Sequence, residues 1–72
     1  MNSLDKIEVT VNDNKHSFRE EETLQSVISK LSITENGIAI AINEQIIPKK
    51  KWTTTQLNNN DKILVIKATQ GG

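Results

Sequence analysis

The sequence predicts an α+β roll: one mixed sheet of four to five strands with a single helix packed on one face. Two observations carry that expectation. The hydrophobic period switches from two to about 3.6 and back along the chain, and the elements run strand, strand, helix, strand, short strand, strand. A third sets the scale: 72 residues hold one small core and a single domain over residues 1–72, with little room for a deep cleft. Ile, Leu, Val and Phe number 10, 5, 4 and 1, above the roughly 20% below which a chain reads as disordered.

Ile7, Val9 and Val11 alternate with Glu8 and Thr10, the pattern of a half-buried strand. Asn12-Asp13-Asn14 are turn formers that tolerate left-handed dihedrals, so a second strand follows from Lys15 to Phe18 as a hairpin. Thr23 is a fair N-cap, and Leu24, Val27, Ile28 and Leu31 at i, i+3, i+4, i+7 make one apolar helical stripe. Glu20, Glu21 and Glu22 read as a solvated approach to the positive end of the helix dipole. After Asn36-Gly37, Ile38, Ile40 and Ile42 alternate with Ala39 and Ala41 as a third strand. Asn43-Glu44 turns the chain into Gln45-Ile46-Ile47, which Pro48 stops at a sheet edge. Residues 49–57 form an irregular or single-turn connection holding Trp52, a packing residue. Asn59-Asn60-Asp61 leads into a last strand, Lys62 to Ala68.

In such a roll the first and last strands pair in parallel at the centre of the sheet. The face under the helix collects Ile7, Val9, Val11, Phe18, Ile40, Ile42, Ile63 and Val65 against Leu24, Val27, Ile28 and Leu31. The other face shows Lys6, Glu8 and Thr10, then an apolar strip of Ala39, Ala41, Leu64, Ile66 and Ala68 running toward the chain's end. A contiguous patch of this kind is a reasonable docking surface.

Composition removes several function classes. With no Cys and with His16 as the single histidine, disulfides, thiolate zinc sites, cysteine nucleophiles and histidine metal cages are excluded, and no bound cofactor is expected. His16 reads as a partly buried structural residue. The apolar run from Gly37 to Ile42 is too short to span a bilayer, and residues 1–6 lack a signal peptide's apolar stretch, so a cytoplasmic protein without membrane contact is expected. The formal net charge is +0, which argues against general nucleic-acid binding. Charge is nonetheless uneven: acidic residues dominate residues 1–44 and basic ones residues 45–72, which suits a protein partner of patterned charge. Lys49, Lys50 and Lys51 are candidates for contact with an acidic surface.

The chain closes on Thr69-Gln70-Gly71-Gly72. Without a Cβ, a Gly-Gly end can run through a channel too narrow for side chains, and nothing crowds attack at the terminal carbonyl. The α-carboxylate of Gly72 is a poor acyl donor until its oxygen becomes a leaving group, commonly by adenylation with ATP. The chain has no phosphate-cradling glycine loop, nucleophile–base pair or metal cluster for that work. The tail therefore reads as the substrate of another protein's enzyme.

Ala41-Ile42-Asn43-Glu44-Gln45-Ile46-Ile47-Pro48-Lys49-Lys50-Lys51-Trp52, then Leu57, Asp61-Lys62-Ile63 and the closing Gly71-Gly72, resemble the ThiS sulfur carriers of thiamin thiazole synthesis. The resemblance runs over nearly the whole chain from Ile7. It implies a ubiquitin-like β-grasp fold in which Gly72 is adenylated by a ThiF-type enzyme using ATP and converted to a thiocarboxylate with sulfur from a cysteine desulfurase. The sulfur then passes to a ThiG-type thiazole synthase. Gly72 carries the chemistry and Gly71 is the slim neck behind it. Apart from the resemblance, the apolar strip and the lysine run make Leu64, Ile66, Ala68, Lys49 and Lys50 the expected docking residues, on a carrier expected to be a monomer when free. Asn59-Asn60-Asp61 replaces the Asp-Gly-Asp common in the family, and residues 1–5 are a loose N-terminal extension. Residues 69–72 form a flexible tail. Three rivals share the fold: the small subunit of molybdopterin synthase, whose usual Pro-Pro-Val before Gly-Gly is not matched by Lys67-Ala68-Thr69-Gln70, a protein modifier, and an interaction module with an inert tail.

Overall fold

The computed structural model describes residues 6–67. Strands β1 (Lys6–Val11) and β2 (Asn14–Arg19) precede helix α1 (Leu24–Lys30), which is followed by β3 (Ile38–Ile42), β4 (Gln45–Ile47) and β5 (Lys62–Lys67). The strands form one five-stranded sheet in the order β2-β1-β5-β3-β4. β1 and β5 run parallel at its centre, and the other pairs are antiparallel. This is the roll that the order of elements predicts.

The first turn is shorter than expected. Asn14 already pairs with Val11, so the first hairpin has a two-residue loop. Its residues Asn12 and Asp13 sit at φ 49 and 73. Asn43 and Glu44 repeat the geometry at φ 51 and 72 between β3 and β4. Two consecutive left-handed residues match the right-handed twist of the flanking strands. β5 is described to Lys67, so the expected extension to Ala68 lies outside the described residues.

The helix covers one face. Ile7, Val9, Val11, Phe18, Ile40 and Ile63 meet Leu24, Val27 and Ile28 in one buried cluster, with Ile42, Val65 and Leu31 partly buried against it. Trp52 and Leu57 also belong to that cluster, so the 49–57 connection is itself a wall of the core. The Trp52 indole Nε1 donates to the Ile47 carbonyl at 3.0 Å, which satisfies the polar end of a ring only 1% exposed. The helix has seven residues, or about 10 Å at 1.5 Å per residue, whereas a six-residue strand spans about 20 Å. Part of the sheet's helix side therefore stays open as a groove of about 780 Å³ with Val11, Ile38 and Val65 among its walls.

The same connection caps the helix. The amides of Leu24 and Gln25 donate to the carbonyls of Thr55 and Trp52 at 2.8 and 3.0 Å, and Thr23 Oγ1 accepts from the Ser26 amide as the expected N-cap. Three of the amides that a helix start leaves without partners are thus paired.

Glu22 corrects the expectation of a solvated acidic run. Glu20 and Glu21 are exposed, but Glu22 is buried and accepts from Lys30 Nζ at 2.7 Å, Ser26 Oγ at 2.9 Å and the Arg19 amide at 3.4 Å. The hydrogen bond from Lys30 is the main cause that holds its carboxyl below the usual value, against the opposing effect of burial.

Candidate functional site

The candidate site has two parts: the uncovered face of the sheet and the root of the tail. Gly71 and Gly72, the expected neck and reacting end, and Ala68, an expected docking residue, lie outside the described residues. What the described residues define is the surface from which that tail departs.

Register builds the surface. Ala39 pairs with Ile66, Ala41 with Leu64 and Ala41 with Ile46, and cross-strand partners share a face. Leu64 and Ile66 therefore stand together with Ile46 across β5, β3 and β4, as one apolar strip. Ile46 and Ile66 are the large hydrophobics left exposed, at 58% and 45%. Ile46 was absent from the expected strip because a three-residue strand gives no readable alternation. Ala41 departs in the other direction: it lies on the uncovered face but is only 4% exposed, because its methyl sits between the larger side chains of Leu64 and Ile46.

β5 is held on both flanks by asparagine side chains. On the β3 side, Asn43 Oδ1 accepts from the Lys62 amide at 3.0 Å and Asn43 Nδ2 donates to Asp61 Oδ1 at 3.0 Å. The buried Asp61 also accepts from the Asn58 amide at 2.8 Å through Oδ2. On the β1 side, backbone pairing covers only Thr10↔Lys62 and Val11↔Ile63 before β1 turns away. Asn12 then continues the ladder with its side chain: Oδ1 accepts from the Val65 amide at 2.8 Å, and Nδ2 donates to the Val65 carbonyl at 3.4 Å. The root of the tail is fixed to the sheet by these clasps and by the pairing of Ile66 and Lys67 with β3. Sequence reading identified Asn12 and Asn43 as turn formers only, since a contact 53 residues away leaves no local signal.

Lys49 and Lys50, expected at an acidic partner surface, lie in a single 3-10 turn, Lys49–Lys51, beyond edge strand β4, and both are exposed. The turn is not part of the apolar strip. Lys49 Nζ stands 5.9 Å from the centroid of the Trp52 ring, within cation–π range. His16 is half-buried with its ring stacked on Phe18 at 5.9 Å, as expected of a structural histidine. Among the described residues no three His, Cys, Asp or Glu side chains gather as a metal site, and no helix is long and apolar enough to cross a membrane.

A five-stranded mixed sheet, with parallel first and last strands at its centre and one helix across a face, is a ubiquitin-like β-grasp. The fold matches the crystal structure of the thiamine biosynthesis protein ThiS from Geobacter metallireducens with a TM-score of 0.77 at 16% identity, over 92% of this chain and 100% of that one. The sequence model of the ThiS family matches residues 5–72, and the chain belongs to that family. It is 27% identical over 66 residues to the sulfur carrier protein ThiS of Escherichia coli strain K12, covering 92% of this chain and 100% of the relative. A thiazole synthase of Paramagnetospirillum magneticum is 21% identical over 66 residues, which are 92% of this chain and 20% of that protein.

Proposed function

We propose that this protein is a sulfur carrier of thiamin biosynthesis whose Gly72 carboxylate is the reacting group. The observation that carries the reading is the family match over residues 5–72, which includes the Gly71-Gly72 end. In the proposed cycle a ThiF-type adenylyltransferase directs a Gly72 carboxylate oxygen onto the α-phosphorus of ATP, with pyrophosphate leaving. A persulfide supplied through a cysteine desulfurase attacks the carbonyl carbon and AMP leaves, giving an acyl disulfide. A second thiol of the sulfur-donating machinery then breaks its S–S bond, releasing the terminus as a thiocarboxylate while the two thiols are joined as a disulfide. A ThiG-type thiazole synthase then takes the sulfur, a step supported by the likeness to part of a thiazole synthase. The carrier supplies no catalytic side chain. It contributes a tethered nucleophile at high local concentration and a docking face of Leu64, Ile66, Ala68 and Ile46, with Lys49 and Lys50 beyond its edge.

Incubation with a ThiF-type enzyme, ATP and a sulfur source is expected to exchange one terminal oxygen for sulfur, read by intact mass spectrometry. One alanine appended after Gly72 abolishes the exchange without changing the melting temperature. Continued exchange in the extended protein, or none in the wild type with an enzyme competent on its own carrier, refutes the assignment.

A further inference from the structure

The uncovered face has a second half that its apolar strip does not use. On β1 and β2, Lys6 is the cross-strand partner of Arg19, and Lys15 is the partner of Thr10, whose other neighbour across β5 is Lys62. All four cations are exposed and stand on the side opposite the helix, with Glu8 as the one carboxylate among the strand residues there. None of them forms an ion pair: Glu22 with Lys30 is the single such pair among the described residues. The other carboxylates among the described residues lie outside the strand positions of that face. Glu22 is buried and pairs with Lys30, Glu35 accepts from Gln25 at 2.7 Å, Asp61 is buried, and Asp13, Glu20, Glu21 and Glu44 sit in turns.

Like charges directly opposite on neighbouring strands repel, and Lys6 stands directly opposite Arg19. Lys62 adjoins Leu64 through one intervening residue of β5, which makes the basic half and the apolar strip one continuous surface. A polyanion such as single-stranded nucleic acid would use aromatic platforms beside the cations, and both described aromatics of that kind, Phe18 and Trp52, are buried. We infer that the uncovered face docks a protein surface of matching pattern, an apolar centre flanked on the β1–β2 side by carboxylates. The inference rests on the docking role proposed above and specifies the chemistry of its partner. It also revises the charge picture: three of these cations come from the acidic first 44 residues, so the working asymmetry is between faces rather than between halves of the chain.

The test measures association and dissociation rates between the carrier and its ThiF-type activating enzyme at low and high salt. Lys15→Glu/Lys62→Glu is expected to slow association at low salt by about tenfold or more, with the gap closing as the Debye length shrinks at high salt. Lys6→Gln/Arg19→Gln is expected to act in the same direction by a smaller factor, and circular dichroism confirms that both variants fold. Ile66→Asp, by contrast, speeds dissociation at both salts. Wild-type association by both cation variants, with dissociation still faster in Ile66→Asp, overturns the acidic flank alone. If Ile66→Asp also binds as wild type, the docking role itself is wrong. Binding of a mixed-sequence oligonucleotide as tight as that of the enzyme overturns the choice of a protein partner.

Discussion

Isoleucines stand on both faces of this sheet and reach opposite ends. On one, Ile40 is 0% exposed beneath α1 and the Trp52 loop; on the other, Ile46 and Ile66 remain 58% and 45% exposed. Nothing in the side chains themselves makes the difference. One short helix and one loop can cover only a single face, and the face left over holds an apolar strip beside exposed cations. Burial therefore reports stability on the helix side, whereas the exposed side is the one left for the proposed docking role.

The largest expected effect tests that division directly. Ile40→Ala removes buried methyl groups and leaves a cavity, costing about 2–5 kcal/mol, while Ile66→Ala changes stability by about 0.5 kcal/mol or less. Urea denaturation of both variants measures the contrast, and equal losses would erase the distinction between the faces.

A smaller effect is expected at the clasp between β5 and the β3–β4 turn. Asn43→Gly keeps the positive φ but strips the amide from the buried Asp61 and from the Lys62 backbone, an expected loss of about 1–3 kcal/mol. Hydrogen exchange at the Lys62 amide should rise more than at Val65, which Asn12 still holds. Uniform change along β5 would mean the two clasps act as one.

The smallest expected effect belongs to Glu22 at the helix approach. Its carboxyl is held below the ordinary 4.5, so its contribution is present at neutral pH and is lost as pH falls through the lowered folded-state value. Glu22→Gln should cost about 1 kcal/mol at pH 7. The difference from wild type should vanish at low pH, because both side chains are then uncharged. A gap in melting temperature that persists unchanged into acid would show that the Lys30 pairing is not its source.

Alternation and helical spacing were sufficient for the longer strands and the helix, because each is a local periodicity that burial of one face imposes, and the parallel centre followed from the order of elements. β3 matched its expected limits for that reason, and β4 did so because the Asn43-Glu44 turn and Pro48 bound it. The short features failed locally: Ile46 in a three-residue strand, and Glu22 in a charge run whose first two members do face water. The candidate site divides in the same way. Leu64 and Ile66 were legible as one side of β5, whereas the cation group on β1, β2 and β5 emerged only from register.

By itself the sequence determined the elements and their order and supplied the Gly-Gly end on which the proposed chemistry rests, since periodicity, turn formers and terminal glycines are written in neighbouring residues. Tertiary structure alone decided which loop carbonyls close the helix start beside Thr23, which asparagines hold the tail's root and which charges share the open face. Those outcomes join residues as far apart as Asn12 and Val65, and contacts over such separations are chosen by the packing of the whole sheet rather than by any local preference.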